Sequence, residues 1–507
     1  MTADPHRFSS PPHVSDCQAR ELRFSRNFRN FRRLAALPAV LLIATPASAQ
    51  TLTDRVHAVL GGQGPGTRFG VVVTTEDGKE VVAIRPDDRF VPASNTKIFT
   101  VAAAFETLGD VTQPDATAGA SVRIEDGDVV LAGAGDARLS SRPDCVTNCL
   151  AALADAVAVR TRRVKDIIGD DTAFPDERWS PGMSWNNIPT SYGTGISALT
   201  IDDNEVVLTV TPTKVGEAAV VAGSGYYAID SNVVTAASGS AVNLSYDRLP
   251  NSRRLRLWGT VPAAGTAESV RVGIDDPADY AAWRLKALLL QRGVRVQGAT
   301  RARHRPLLPA DDPAVRKGAA VVRPPNPAPL ARLTPPPLAE DLTLTSKVSQ
   351  NVHSELLLRR VGLASGSGSI ADGKAVVGAM LDRAGVPRWG YDFADGSGMS
   401  NYNRVTPRAT VGLLRWSMTR PWSRAFRETL PIAGVDGTLR RRFVGTPLQG
   451  RLFAKTGSLD KANALGGFMT GASGRTLVFA IYANDMPASA SATKTIDAAL
   501  NLIAAAN

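Results

Sequence analysis

The sequence predicts an α/β protein in which one α/β domain is assembled from both ends of the chain and a β-rich middle is inserted into it. Three observations lead there. Two short β-type runs joined by a turn, then an apolar helical run, open the chain after residue 50. The centre alternates β-type runs with Gly, Asp and Asn turns. Helical patterning and a final pair of β-type runs return beyond a proline-rich stretch. At 507 residues the chain is too long for one core, so two or three domains are expected.

Residues 1–49 have the form of an export signal. Residues 20–33 are basic, LAALPAVLLIA (34–44) is apolar, and ASA (47–49) has the small-x-small pattern of a cleavage site. The apolar run is too short to span a bilayer. No later stretch reads as a transmembrane helix, so no membrane anchor is expected after signal removal. Removal takes away seven Arg and three acidic residues, lowering the formal net charge from +11 to +7. The remaining basic residues are scattered without interleaved aromatics, which excludes a nucleic-acid-binding reading. In DCVTNC, Cys145 and Cys149 stand without a nearby His or further Cys. For an exported chain that pair predicts a local disulfide rather than a metal site.

RFGVVVT (68–74) and EVVAI (80–84) read as strands around a TEDG turn, and Thr96–Leu108 as a helix after Pro92. Residues 113–304 read as one or two inserted β-rich domains, with a helix at 279–293 ending at Gly293. Residues 305–337 hold ten prolines and read as an extended connector. LTLTSKVSQNVHSELLLRRVG (342–362) reads as one amphipathic helix, GGFMTG and RTLVFAIYAN as paired strands, and the last segment as an Ala-rich helix. The α/β domain therefore comprises 50–112 and 338–507.

Chemistry is suggested by three short motifs. In VPASNTKIFT, Ser94 and Lys97 stand at i and i+3 at the start of the apolar helix, so amine and hydroxyl share a face. An ordinary lysine keeps its proton to about pH 10.4. Burial or a second cation favours the neutral amine, which then replaces histidine as the base that activates a serine. The pattern also occurs at Ser458/Lys461 and Ser491/Lys494, but only Ser94/Lys97 opens such a helix. ADGSGMSNYNRVTP (394–407) places Ser400 and Asn403 in a Gly-rich loop, where a hydroxyl could relay a proton and an amide hold a carbonyl. In RLFAKTGSLD (451–460), Lys455, Thr456 and Ser458 offer a cation and two hydroxyls to a carboxylate, and Gly457 leaves room for a substrate backbone.

S-x-x-K on a helix, a Ser/Asn loop, and K-T-G on a strand, in that order, resemble the signature set of penicillin-recognising serine enzymes. Further stretches narrow the resemblance: GAGDARLSS (133–141), WNNIPTSYGTGISALTIDDNEVVL (185–208), PPPLAEDLTLTSKVSQNVHSELLLRRVG (335–362) and LPIAGVDGTLRRRF (430–443). The chain resembles the D-alanyl-D-alanine carboxypeptidase/endopeptidase family, the class C low-molecular-mass penicillin-binding proteins of peptidase family S13. The 358 residues from Lys97 to Lys455 leave room for the large insertion that marks this family.

The resemblance implies a penicillin-binding/β-lactamase-like domain with inserted domains. It implies Ser94 as nucleophile, Lys97 as general base and Ser400 as proton relay. It implies Asn403 as substrate-orienting amide, and Lys455, Thr456 and Ser458 as the carboxylate grip, with backbone N–H groups of Ser94 and Ser458 as oxyanion hole. The second motif departs from S-x-N, since Tyr402 stands two places after Ser400, flanked by Asn401 and Asn403, of which Asn403, inside NRVTP, is the better match. Asp171 and Arg442 are expected to hold a diaminopimelate side chain, with Asp170, Arg440 and Arg441 as adjacent competitors. The implied partners are peptidoglycan stem peptides and β-lactams, in the periplasm or cell envelope, with no metal or organic cofactor. A β-lactamase-like hydrolase and a non-catalytic peptidoglycan-binding protein are the alternatives. His353 reads as a packing residue or one that makes a local hydrogen bond, and Trp179 and Trp185 as packing residues ahead of cleft-lining ones.

Overall fold

A computed structural model describes residues 50–323, 327–488 and 490–507. The expected export signal, residues 1–49, lies outside the described residues. The sheet that organises the chemistry has five antiparallel strands in the order 452–459, 462–470, 476–484, 68–75, 80–84. Strand Arg68–Thr75, from the start of the described chain, lies between Thr476–Asn484 and Glu80–Ile84, with Val71 opposite both Ile481 and Ile84. Strand Leu452–Leu459, which carries the K-T-G run, is an outer strand of this sheet.

Period-two alternation gives the sheet two apolar faces. Val71, Val73 and Ile481 pack with Val56 and Leu60 of helix Leu52–Gly61 and with Leu500 and Ile503 of helix Thr493–Ala505. Val72, Val478 and Tyr482 face Ile98, Ala102 and Leu357, in helices Lys97–Thr107 and Asn351–Ser365. The Lys97–Thr107 helix is buried from Lys97 through Phe105. It is a core helix, so the lysine at its first position enters the interior with it.

The middle of the chain supplies two three-stranded sheets and a second five-stranded sheet. The last is partly parallel: Thr300–Arg305 and Asp128–Ala132 both run parallel to Ile167–Pro175. Parallel neighbours need crossovers, and helices Leu150–Arg160 and Pro277–Gln291 pack here. Asp276 caps the second, its side chain accepting from Asp279 N–H (3.0 Å). Cys145 and Cys149 are joined as a disulfide.

One expected element is different. The 342–362 stretch is two helices, Leu338–Lys347 and Asn351–Ser365. Between them Ser349 takes a left-handed φ of 64°, and the Gln350 side chain caps the second helix by accepting from Val352 N–H (3.4 Å). The amphipathic period runs through the break, which is why the pattern alone conceals it.

Candidate active site

Ser94 lies in a 3-10 turn, Ala93–Thr96, that runs directly into the Lys97 helix. Ala93 before it has φ 49°, a conformation that costs a non-glycine residue about 1–2 kcal/mol. Fully buried Asn95 fastens the turn to the sheet: its Nδ2 donates to the Lys455 carbonyl (2.6 Å) and its Oδ1 accepts from the Tyr482 hydroxyl (3.0 Å). Gly457 fits the other side. A Cβ there would stand 2.4 Å from the Pro92 carbonyl oxygen, so the glycine lets the edge strand lie against the serine turn. Its space is taken by this turn, not left for a substrate backbone.

Lys97 Nζ lies 3.0 Å from Ser94 Oγ, 2.7 Å from Asn351 Oδ1 and 2.6 Å from the Ser397 carbonyl. The last two oxygens only accept, so they take two N–H bonds. The third direction faces Ser94, and in the neutral amine it holds the lone pair. Lys97 is fully buried, and burial pushes its amine down to about 7 against the raising influence of Asp395 and Glu355. Glu355, itself buried and pushed up to about 7 by burial and by Asp395, accepts from Gly396 N–H (3.0 Å) and Ser397 N–H (2.8 Å). That fixes the carbonyl that the amine touches.

Lys455 is also fully buried, and burial together with nearby Lys97 holds its amine well below the usual lysine range. Its Nζ donates to Ser349 Oγ (2.9 Å) and to the Thr456 carbonyl (3.0 Å). The residues brought to the two lysines are thus Ser349 and Asn351, not Ser400 and Asn403. The Ser400 hydroxyl donates to the Pro181 carbonyl (2.6 Å) and accepts from Tyr402 N–H (3.1 Å). The Asn403 amide accepts from Ala394 N–H (2.7 Å) and donates to Asp395 (2.6 Å). Both are fully buried and serve the 395–403 loop. That loop reaches the site through the Ser397 carbonyl and through Gly398, where a Cβ would stand 1.9 Å from the Ala93 carbonyl oxygen. Ser349-Gln350-Asn351 spells S-x-N outright. That signal was available in the sequence and was masked by the uninterrupted helix reading.

Thr456 Oγ1 lies 2.8 Å from Thr438 Oγ1, and Ser458 is exposed. Ala454 N–H donates to the Pro431 carbonyl (3.0 Å), away from the neighbouring strand 462–470. Backbone N–H groups of an extended strand alternate sides, so those of Thr456 and Ser458 face the same open edge. A narrow open cavity lies beside Asn351 and Ser397, the two residues whose oxygens hold the amine, and is also lined by Trp179, Tyr192, Glu355 and Met399.

The other candidates lie elsewhere. Asp171 is buried in an ionic cluster, 2.9 Å from His304 Nδ1 and accepting from Ser197 Oγ (2.8 Å). Asp170 pairs with Arg123 (3.0 Å) and Arg303 (3.3 Å). Arg442 pairs with Asp497 of the last helix, and Arg440 and Arg441 are exposed. None of these contacts joins Asp171 or Arg442 to Ser94, Lys97 or Lys455. His353 makes hydrogen bonds that are ionic as well as local: it sits buried between Asp341 and Asp203 (2.8 Å), which raise its imidazole to about 10 against the effect of burial. Trp179 borders the cavity while donating to the Gly193 carbonyl (2.9 Å), and Trp185 is exposed. Among the described residues no group of three or more His, Cys, Asp or Glu is placed to hold a metal ion, and no helix is long and apolar enough to cross a membrane.

A family model described as "D-Ala-D-Ala carboxypeptidase 3 (S13) family" matches residues 52–507. The D-alanyl-D-alanine carboxypeptidase of Actinomadura sp. (strain R39) is 34% identical over 487 residues, covering 89% of this chain and 87% of that protein. The D-alanyl-D-alanine carboxypeptidase DacB of Haemophilus influenzae is 26% identical over 430 residues, 83% of this chain and 86% of that protein. In fold, the crystal structure of penicillin binding protein 4 (dacB) from Haemophilus influenzae matches with a TM-score of 0.72 at 23% identity, covering 88% of this chain and 97% of that one. The same protein complexed with a β-lactam matches with a TM-score of 0.68 at 22% identity, over 89% and 98%.

Proposed function

Since the chain belongs to the D-Ala-D-Ala carboxypeptidase S13 family, we propose that it hydrolyses the terminal D-alanyl-D-alanine bond of peptidoglycan stem peptides, and cross-links of the same chemistry, through an acyl-enzyme on Ser94. The observation that carries the reading is the 3.0 Å approach of the buried Lys97 amine to the Ser94 hydroxyl, with its other two contacts spent on carbonyl-type oxygens.

In acylation the neutral Lys97 amine accepts the Ser94 proton as Oγ bonds to the carbonyl carbon. The developing oxyanion is met by backbone N–H groups of Ser94 and Ser458, the latter on the open strand edge. The leaving amine takes a proton from Ser349 Oγ, which is hydrogen-bonded to Lys455 (2.9 Å), and Ser349 recovers it from the Lys97 ammonium, so the Ser94 proton leaves with D-alanine and Lys97 is neutral again before deacylation. The substrate's terminal carboxylate binds by Lys455 and the hydroxyls of Thr456 and Ser458, and its charge favours the protonated form of Lys455. Asn351 holds the Lys97 amine and faces the cavity, so it replaces Asn403 as the orienting amide. Ser400 and Asn403 hold the 395–403 loop through Pro181, Ala394 and Asp395. Water then cleaves the ester, with Lys97 again as base.

β-Lactams acylate Ser94 in the same way. The protein acts in the periplasm or cell envelope after export. The test is intact mass spectrometry with benzylpenicillin and with a diaminopimelate-containing pentapeptide. A stoichiometric adduct on Ser94, its absence in S94A, and release of D-Ala are expected. Rapid nitrocefin turnover would instead identify a β-lactamase, and an unmodified folded protein would remove the catalytic reading.

A further inference from the structure

The three-stranded sheet of Asn243–Asp247, Arg254–Pro262 and Ala228–Ala236 has one face in the core and one in solvent. Leu255, Leu257, Val261 and Val233 point inward. Trp258 points outward and keeps 42% of its surface exposed. Pairing fixes its surroundings. At its own level Trp258 stands opposite Ser245 on one side and Asn232 on the other. One outward level away along the strand, Thr260 stands between Asn243 and Val234, and on the opposite side Arg256 stands between Asp247 and Asp230. An indole therefore forms the centre of a flat grid whose neighbours are almost all small hydrogen-bonding side chains, spaced ~5 Å across strands and ~7 Å along them.

We propose that this face is a carbohydrate site that binds a glycan strand of linked pyranoses, one sugar ring stacked on Trp258. The electron-rich indole face attracts the C–H edges of a sugar ring, and a ring of about one cross-strand spacing brings its hydroxyls over Ser245, Asn232, Thr260 and Asn243. Charge selects against other flat ligands. Arg256 is paired with Asp247, its Nε donating to Oδ1 (2.7 Å), and Asp230 stands on its other side. Arg254 and Arg256 are thus balanced by Asp230 and Asp247, and a polyanion gains no net attraction. Apart from Val234, the neighbours of Trp258 lack the apolar surface that marks the core of a protein interface.

The loop that leads into the Trp258 strand approaches the catalytic cleft. Asn251, in the loop before the Trp258 strand, lines a cavity with Trp179, and Trp179 lines another with Asn351. If the cleft takes stem peptides as proposed above, glycan held here raises the local concentration of the peptides it carries. The glycan binding itself does not depend on that reading.

Insoluble glycan strands stripped of stem peptides by an amidase are sedimented with the protein beginning at residue 50. Saturable binding is expected for the native chain and equally for S94A, which separates this site from the catalytic one. W258A is expected to bind about tenfold or more weakly while its benzylpenicillin labelling is unchanged. N232A/S245A, which leaves the indole in place, is expected to weaken binding too and serves if W258A does not fold. Absence of saturable binding by the native chain, or equal binding by both variants, overturns the proposal. So does concentration-dependent self-association that W258A abolishes, which would assign the face to a second copy.

Discussion

Lys455 Nζ lies 2.9 Å from Ser349 Oγ, joining an edge strand to the break between two helices. With Asn351 on Lys97, this contact puts the 349–351 segment, rather than Ser400 and Asn403 of the 394–407 loop, beside the two lysines.

S349A is therefore expected to slow acylation by about 10²–10⁴-fold with little change in unfolding free energy. S400A is expected to cost about 1–3 kcal/mol of stability, because the Pro181 carbonyl loses its donor, while acylation continues. Benzylpenicillin labelling rates and urea denaturation of the two variants give the comparison. The reverse pattern would return the relay to Ser400.

Acylation should follow the Lys97 amine. Its folded value is lowered from 10.5 to about 7, so the rate is expected to rise with pH to a plateau above about 7. The same shift acts on stability. Between about 7 and 10.5 the unfolded chain holds more protons, so stability rises with pH across that window. The penalty of the buried ammonium is fully present below it. K97M should thus be inactive, and its stability relative to the native protein should be most favourable in acid and fall toward alkaline pH. Denaturation midpoints across the window check the sign.

His353 carries the opposite sign. Its imidazole is raised from 6.5 to about 10 between Asp341 and Asp203, so its contribution is complete below 6.5 and disappears as pH rises through about 10. H353N should cost about 3–5 kcal/mol in acid and progressively less in alkali. Its acylation rate should also fall, because residue 353 lies on the helix that carries Asn351. A stability gap that widens with pH would contradict the ionic account.

G457A should lose about 1–3 kcal/mol and slow acylation, since its Cβ would press on the Pro92 carbonyl 2.4 Å away and displace the Ser94 turn. G61A, with nothing within 4 Å of its Cβ, is the control and should acylate normally. Equal rates for the two would show that the strand and turn yield without consequence.

Much of this was legible in the chain. The Ser94 helix, the paired terminal strands and the K-T-G strand follow from local apolar period, Pro92 and Gly placement. Ser94, Lys97 and Lys455 could be chosen because each motif lies on an element the pattern predicts. Ser349 and Asn351 were concealed because a three-residue break does not disturb an amphipathic period, although the S-x-N letters were present. The ion pairs of Asp171 with His304 and of Arg442 with Asp497 join residues 133 and 55 positions apart. Only tertiary structure can pair such residues, so carboxylates and guanidiniums in a sequence cannot be divided between substrate and scaffold.

Placing strand Arg68–Thr75 between Glu80–Ile84 and Thr476–Asn484 also governs how the enzyme comes into being. A chain emerging from the ribosome or a translocation channel makes Ser94 and Lys97 early, but Lys455 and the strands that flank it come last. Hydrolytic capacity is absent from every nascent intermediate, and the first hairpin must wait for most of the polypeptide before its inner neighbour arrives. Synthesis that stops short of residue 452 leaves a serine with no cleft, and a hydrophobic strand edge open to self-association.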